Sequence, residues 1–165
     1  MQIKLPFDAN KPVAAEASIE IEQPLSEVFE FVGHGFFENY PKWAADLVDF
    51  EPLDGEQVFV GAKARQIRHD SGEEVESVFE IAEYQPLTKL AVQGLTQPYR
   101  QSYLLQPEGD RPQTRLTFRF EFLQLDIFMR PFEKLIRCAI EEGAENTVEQ
   151  IKNLIMYDSN PTAQA

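Results

Sequence analysis

The sequence predicts an α+β protein in which a curved antiparallel sheet of about seven strands wraps around a long C-terminal helix. Apolar residues recur at steps of three and four from residue 126 to 157, which is the spacing of one helical face. Short segments of alternating polar and apolar residues, separated by turn sequences, make up most of the preceding chain. Because an amphipathic helix must cover its apolar face, we expect it to pack on that sheet.

The N-terminal elements are a strand and two short helical segments. Residues 13–22 alternate between apolar and polar side chains and predict a half-buried strand. Pro24 is expected to begin the first helix, since proline is favoured in the first helical turn, and the Gly-His-Gly sequence at 33–35 is expected to end it. Residues 36–43 predict a second piece, helical or irregular, that Pro41 interrupts.

Six further strands follow, and turn-forming residues separate each from the next. Their predicted ranges are 47–53, 59–69, 73–84, 89–95, 99–106 and 115–123. Short connections such as Asp54-Gly55 favour antiparallel hairpins. One helix laid across a strongly curved sheet leaves space near the open ends unless bulky side chains fill it, so this helix-grip arrangement suits a ligand pocket.

The apolar face of the long helix becomes smaller along its length. Its members, at helical spacing, are Phe132, Leu135, Ile136, Ala139, Ile140, Gly143, Thr147, Ile151 and Leu154. A glycine in the middle of a helix costs about 1 kcal/mol relative to alanine, so Gly143 is expected to have a packing or space-making role. Two interpretations stay open, namely close contact between helix and sheet, or a helix that closes over a hollow.

Length and composition favour a single domain. Residues 13–157 are predicted to form it, with an N-terminal extension at 1–12 and a frayed C-terminal tail at 158–165. The chain has 165 residues, of which 43% are hydrophobic and thirteen are phenylalanine. A chain of this length can bury roughly 70% of the surface that it exposes when unfolded, so a substantial core is expected.

Charge and cysteine content exclude several classes of partner. The net charge of −13 repels nucleic-acid phosphates and anionic lipid headgroups, so we expect no nucleic-acid partner. A single cysteine, Cys138, excludes an intrachain disulfide and a cysteine-cluster metal site, and we predict neither metal nor cofactor. The sequence lacks a signal-peptide pattern and an apolar run of the ~20 residues that span a bilayer, which predicts a cytoplasmic protein without integral membrane association. It predicts no particular oligomeric state.

No sequence motif indicates catalysis. The two histidines, His34 and His69, are expected at the end of the first helix and beside a hairpin turn, respectively. The acidic residues Glu73, Glu74 and Glu76 favour a solvated sheet edge over a paired acid-base site. The expected roles of these residues are therefore structural, with a position at the cavity entrance as the alternative for His34.

Larger amphipathic side chains are candidates for a ligand site. Trp43 and Tyr40 combine an aromatic ring with one polar group, which suits a pocket mouth, although Trp43 fits the core equally well. Tyr103 lies in the middle of a strand, and if it faces inward its hydroxyl needs a partner, such as a ligand. Around Arg65 neither face of the strand is clearly apolar, so a polar or charged group is expected near the interior.

Five segments carry a family resemblance. They are ASIEIEQPLSEVFEFV at 17–32, ENYPKW at 38–43, VFEIAEYQPLTKLAV at 78–92, QTRLTFRFEF at 113–122 and ENTVEQIKNLI at 145–155. Together they resemble the START-like superfamily (SRPBCC, helix-grip fold), in particular its polyketide cyclase/dehydrase branch, which is related in fold to the birch-pollen allergens. The resemblance implies a deep cavity between the sheet and the final helix. In different members this cavity accommodates lipids, polyketides, hormones or quinones, and the fold does not decide between binding and catalysis.

Three functions stay open on this basis. The favoured one is binding or carriage of a small hydrophobic ligand, lipid-, polyketide- or quinone-like, because phenylalanine is abundant and histidine is scarce. The second is a polyketide cyclase, aromatase or dehydratase that orients a poly-carbonyl chain and moves protons. The third is a ligand-free protein-interaction module. The predicted ligand site lies between the sheet and the middle of the long helix, with the residues Trp43, Phe79, Tyr103, Phe118, Phe120, Phe132, Ile136, Ile140, Gly143 and Thr147.

The charge leads to a first testable prediction. Because the chain carries a net charge of −13 and no basic stripe, it should not bind DNA or RNA at physiological salt. Retention on an oligonucleotide column measures this. Salt-sensitive binding with sub-micromolar affinity would contradict the prediction.

Overall fold

The structure, a computed structural model, describes residues 11–158, and these contain seven strands and a long C-terminal helix. The strands are β1 (Val13–Ile21), β2 (Leu47–Pro52), β3 (Lys63–Asp70), β4 (Glu73–Gln85), β5 (Lys89–Gly94), β6 (Tyr99–Pro107) and β7 (Thr114–Phe122). The helices are α1 (Leu25–Phe29), α2 (Phe36–Trp43) and α3 (Glu133–Asp158), with a π-helical turn (Glu30–His34) after α1 and a 3-10 helix (Ile127–Phe132) before α3. None of the helices within residues 11–158 is long and apolar enough to cross a bilayer. The predicted N-terminal extension and C-terminal tail lie almost wholly outside the described residues.

The strands form one antiparallel sheet in the order β1-β7-β6-β5-β4-β3-β2, so β1 and β2 are its two edges. These two strands are consecutive in the sequence, and the segment that joins them must therefore travel from one edge of the sheet to the other. Helix α1, the π-helical turn and α2 make this crossing. The predicted helix-grip fold, with two short helices after the first strand, is confirmed.

Two predicted elements differ in their limits. The sequence places the start of the third strand at residue 59, but β3 begins at Lys63. Gly61 has a φ of 95°, a conformation that favours glycine, and the chain turns there before it enters the sheet. The sequence predicts an interruption at Pro41, but helix α2 continues through this residue and ends at Trp43. The proline removes only one backbone hydrogen bond, and it does so close to the end of the helix.

The C-terminal segment is not one continuous α-helix from residue 126, as predicted. Residues Ile127–Phe132 form a 3-10 helix that contains Pro131, and the α-helix begins at Glu133. Asp126 caps the 3-10 helix, since its carboxylate accepts a hydrogen bond of 2.9 Å from the backbone N–H of Phe128. A proline is unfavourable inside an α-helix, so the regular helix starts after it.

Helix α3 packs on β1 and β7 through the second half of its length. Its buried apolar residues, at helical spacing, are Ala144, Val148, Ile151 and Ile155. Ile136 and Ile140, which the sequence places on the buried face, are half-buried, and Gly143 is exposed. The stripe that contacts the sheet is therefore rotated relative to the predicted one, and the first half of α3 is not embedded in the core.

This division predicts unequal costs for truncating isoleucines along α3. Ile151→Ala should lower the free energy of unfolding by about 2–5 kcal/mol, because Ile151 is fully buried and its removal leaves a cavity. Ile136→Ala should cost about 1 kcal/mol, since that side chain is only partly buried and lines the cavity instead of the core. Urea denaturation followed by circular dichroism measures both values. Equal costs at the two positions would contradict the packing of α3 on the sheet.

Candidate ligand-binding site

A cavity of about 560 Å³ lies between the sheet and the first half of α3. This volume falls within the range of about 300–1,000 Å³ that is typical of small-molecule sites. Most of its apolar wall comes from Phe118, Phe120 and Phe122 of β7 and from Ile136, Ala139 and Ile140 of α3. The remaining lining residues are Tyr40, Trp43, Ala44, Ala45, Asp46, Arg68, Asp70, Gln101, Tyr103, Gly143, Ala144 and Thr147.

The periodicity of two elements creates the apolar wall. In β7, the side chains of residues 118, 120 and 122 point to the same face because strand side chains alternate. In α3, Ile136, Ile140, Gly143 and Thr147 share one face because their spacing is three or four residues. A side-chain carbon added at Gly143 would meet no atom within 4 Å, so this glycine borders open space.

Four polar side chains meet at one end of the cavity, and we call Tyr40, Arg68, Gln101 and Tyr103 the polar end. Arg68 Nη2 donates a hydrogen bond of 2.6 Å to the Tyr40 hydroxyl, which itself donates one of 2.8 Å to Gln66 Oε1. Trp43 Nε1 donates a hydrogen bond of 3.2 Å to the Tyr103 hydroxyl. The tryptophan is buried and lines the cavity, so it serves the core and the site together.

Several hydrogen-bonding groups at the polar end have no partner among residues 11–158. Gln101 is 6% exposed, and its side-chain amide makes no hydrogen bond with any residue between 11 and 158. The Tyr103 hydroxyl accepts from Trp43, but its own proton has no acceptor in that same part of the chain. Arg68 uses Nε and Nη2 and forms no ion pair with a described carboxylate, which leaves Nη1 available. Because these groups line the cavity, they are available to hydrogen-bond a molecule that occupies it.

Burial keeps the tyrosines at this end protonated. It raises the pKa of Tyr103 far above the ordinary value, and the neighbouring Tyr40 raises it further. Burial also raises the pKa of Tyr40, although the adjacent Arg68 guanidinium partly opposes the shift. At neutral pH both hydroxyls are therefore hydrogen-bond donors and not bases. Arg68 stays cationic, because arginine does not lose its proton in proteins.

A second cavity, of about 310 Å³, adjoins the polar end. It shares Arg68, Gln101, Phe120 and Phe122 with the first cavity and extends towards Ser77 and Tyr99. Gln66 lies in its wall and donates hydrogen bonds of 3.3 Å to both the Ser77 and the Tyr99 hydroxyls. Arg68 and Gln101 therefore lie at the junction of the two cavities.

Eight of the ten residues predicted for the ligand site line the larger cavity, namely Trp43, Tyr103, Phe118, Phe120, Ile136, Ile140, Gly143 and Thr147. The other two lie elsewhere. Phe79 is fully buried in the core, with its ring 5.7 Å from that of Tyr40 and 6.2 Å from that of Phe50. Phe132 belongs to the 3-10 helix and is 51% exposed.

The sequence did not identify Arg68 and Gln101 as site residues. In β3 neither set of alternating residues is clearly apolar, and the register with β4 decides the matter by placing Ala64 opposite the buried Phe79. Arg68 shares that inner face, whereas Arg65 lies on the outer face, 2.7 Å from Asp49 and 3.3 Å from Glu51. The sequence of β6 does predict the orientation of Gln101, because residues 99, 101 and 103 lie on the same face of a strand.

The histidines and the acidic hairpin lie outside the polar end. His34 is exposed where the π-helical turn ends. His69 is exposed beside the β3–β4 turn and borders the second cavity only. Glu73 and Glu74 are exposed in the same hairpin, and Glu76 lies 3.6 Å from Arg65 on the outer face.

Comparison with known proteins agrees with this architecture. The sequence pattern of the polyketide cyclase/dehydrase and lipid transport family matches residues 12–155. No curated protein is a significant match in sequence.

Three solved structures illustrate the fold. TTHA0849 from Thermus thermophilus has a TM-score of 0.71 and 17% identity over 89% of this chain and 99% of its own. The Zhui aromatase/cyclase from Streptomyces sp. R1128 has a TM-score of 0.72 and 12% identity over 92% of this chain and 98% of its own. The polyketide cyclase-like protein Cgl2372 from Corynebacterium glutamicum has a TM-score of 0.61 and 18% identity over 91% of this chain and 95% of its own.

At these identities the structures show a shared fold and nothing about a shared ligand. The sequence match over 12–155 covers all seven strands and nearly all of α3. The chain belongs to the polyketide cyclase/dehydrase and lipid transport family.

Proposed function

We propose that the protein binds a small hydrophobic molecule that carries oxygen atoms at one end. The observation that supports this most directly is the cavity itself, with an apolar wall along β7 and α3 and unused hydrogen-bond donors at the polar end. Apolar walls with a few convergent polar groups are typical of sites for such ligands.

The charges around the cavity favour an uncharged polar group on the ligand. Arg68 would attract an anion, but the exposed carboxylates of Asp46 and Asp70 line the same cavity and oppose one. A carbonyl oxygen accepts hydrogen bonds from Arg68, Gln101 and Tyr103 without this opposition. A quinone-like or polyketide-like molecule has such oxygens next to an apolar body.

The lining of the cavity supports binding without turnover. Among the described residues, it contains no histidine, cysteine or glutamate, and its two carboxylates are exposed. The raised pKa values of Tyr40 and Tyr103 remove them as bases at neutral pH. We therefore place carriage or storage of the ligand ahead of catalysis.

One observation favours a second candidate, a cyclase or aromatase. The Arg68–Tyr40 contact of 2.6 Å holds a cation next to a protonated hydroxyl inside the cavity. Such a pair would stabilise the negative charge that develops on a carbonyl oxygen during ring closure. Cyclisation of a poly-β-ketothioester that is lost in Arg68→Met but kept in Arg65→Met would assign this activity.

Gly143 provides a test of the cavity, and Trp43 provides the signal, because it is the only tryptophan in the chain and lines the cavity. A naphthoquinone should quench Trp43 fluorescence saturably in the wild type. Gly143→Leu should abolish this quenching because its side chain projects into the cavity. The matched control, Gly143→Ala, should retain it, since a single added carbon meets no atom within 4 Å.

Both variants should keep the fold and gain up to about 1 kcal/mol of stability, because glycine is a poor helix former. In a solid core, Gly143→Leu would instead lose about 1–3 kcal/mol through overpacking. Quenching that persists in a destabilised Gly143→Leu protein would contradict the proposed cavity.

The polar end predicts selectivity for oxygen atoms on the ligand. The wild type should bind a naphthoquinone more tightly than methylnaphthalene, and Gln101→Leu and Arg68→Met should each reduce this preference by about tenfold, the equivalent of one hydrogen bond. Arg65→Met is the matched control, because Arg65 lies on the outer face of the same strand. Titration of Trp43 fluorescence with each compound measures the affinities of all four proteins.

Stability provides a second readout for the same variants. Gln101→Leu should leave the free energy of unfolding unchanged or raise it, since the amide that it removes has no partner among residues 11–158. Equal preference for the two compounds in the wild type, or equal effects of Arg65→Met and Arg68→Met, would rule out the polar end as the recognition element.

A further inference from the structure

The segment that leads into α3 exposes apolar side chains and buries a charged one. Five large apolar side chains between residues 127 and 135 are exposed, and we call them the apolar patch: Ile127, Phe128, Met129, Phe132 and Leu135. The described chain exposes twelve large apolar residues, so nearly half of them lie in this short stretch. The side chain that the 3-10 helix buries is instead a charged one, Arg130, at 3% exposure.

Contacts of Arg130 orient this segment. Its guanidinium donates a hydrogen bond to the backbone carbonyl of Lys11 and lies 3.7 Å from the carboxylate of Glu133. The arginine side chain therefore points inward, and the apolar side chains around it face solvent. Phe128 is 82% exposed and Leu135 is 69% exposed. This exposure follows from how the segment is anchored, and it does not reflect a loose chain end.

The charges next to the patch differ from those of the whole chain. The exposed cations beside it are Lys11, Lys134 and Arg137, against the two carboxylates of Asp126 and Glu133, and Arg137 lies 2.9 Å from Glu133. The complete chain has a net charge of −13. Further along α3 the exposed charges become acidic, with Glu141, Glu142, Glu145 and Glu149. The apolar patch thus coincides with a locally basic part of an acidic protein.

We propose that the apolar patch docks on the surface of a lipid bilayer. Phe128 and Leu135 would enter the boundary between headgroups and acyl chains, and Lys134 and Arg137 would lie near the phosphate groups. Exposed apolar side chains bordered by cations are the combination that favours this layer. The acidic remainder opposes an anionic membrane, so burial of the apolar side chains supplies most of the attraction.

The size of the patch favours a bilayer over a second protein chain. A stable interface between proteins involves about 20–30 residues on each side. The patch has five large apolar residues, and the acidic stretch of α3 begins at Glu141. A second copy of this chain would bring the same acidic stretch close to itself, whereas lipid phosphates complement the cations at the patch.

The patch is continuous with the cavity wall. Ile136, Ala139 and Ile140 line the cavity and follow Leu135, the last residue of the patch, in α3. Docking would therefore place the cavity beside the phase into which a hydrophobic ligand partitions. The docking inference itself depends on the patch and not on the proposed ligand.

Flotation of the full chain with vesicles of phosphatidylcholine and phosphatidylethanolamine tests the inference. The wild type should float with the vesicles and remain bound at high salt, because the attraction is apolar. Phe128→Ser and Leu135→Ser should each weaken partitioning by about tenfold. Leu53→Ser and Val60→Ser are matched controls, since both replace exposed apolar residues in other parts of the described chain and should change nothing.

A wild type that stays unbound at millimolar lipid would overturn the inference, and so would equal losses in the test and control variants. A dimer in analytical ultracentrifugation that Phe128→Ser dissociates, without vesicle binding, would assign the patch to a second copy. Phe128→Ser should still show naphthoquinone quenching of Trp43 in vesicle-free solution. This readout separates a failure of docking from a failure of the proposed ligand binding.

Discussion

The packing of the second half of α3 against β1 and β7 is the constraint on which the rest of the structure depends. The first and last strands pair along their full length, from Val13 opposite Phe122 to Ile21 opposite Thr114. Ala144, Val148, Ile151 and Ile155 bury one stripe of α3 on this pair. The first half of the helix has no such stripe and faces β7 across the cavity. The cavity and the apolar patch both lie along this less embedded half.

An aromatic cluster holds the opposite side of the cavity in place. Phe36 contacts the rings of Tyr40, Trp43, Phe79 and Tyr103, with centroid distances from 5.0 to 6.3 Å. The packed rings leave little rotational freedom, so the hydroxyls and the indole N–H are fixed relative to one another. Helix α2 therefore contributes to the core and to the polar end through the same side chains. This preorganisation would lower the entropic cost of the proposed ligand binding.

The two faces of the sheet use arginine differently. On the outer face, Arg65 lies 2.7 Å from Asp49, Arg100 lies 2.8 Å from Glu83, and Arg119 lies 2.6 Å from Glu121. Such solvated pairs contribute about 0–1 kcal/mol each, so they support solubility more than stability. On the inner face, Arg68 has a tyrosine hydroxyl as its close partner and no ion pair within the described residues. Arg68 is therefore a better candidate for contact with a ligand than the arginines of the outer pairs, which already have carboxylate partners.

The sequence by itself determined the fold class and much of the cavity wall. Alternation in β7 placed Phe118 and Phe120 on one face, and helical spacing grouped Ile136, Ile140, Gly143 and Thr147, because side-chain direction follows directly from backbone periodicity. Turn sequences determined the succession of strands in the same local way.

Only the tertiary structure decided which face of each strand and helix packs against the interior. The register between β3 and β4 turned Arg68 inward and Arg65 outward, although the sequence of β3 favours neither. Contacts of Arg130 exposed Phe132, and aromatic packing removed Phe79 from the cavity, although both fit an apolar wall by type. Periodicity states which residues share a face, whereas burial depends on contacts between segments that are far apart in the chain.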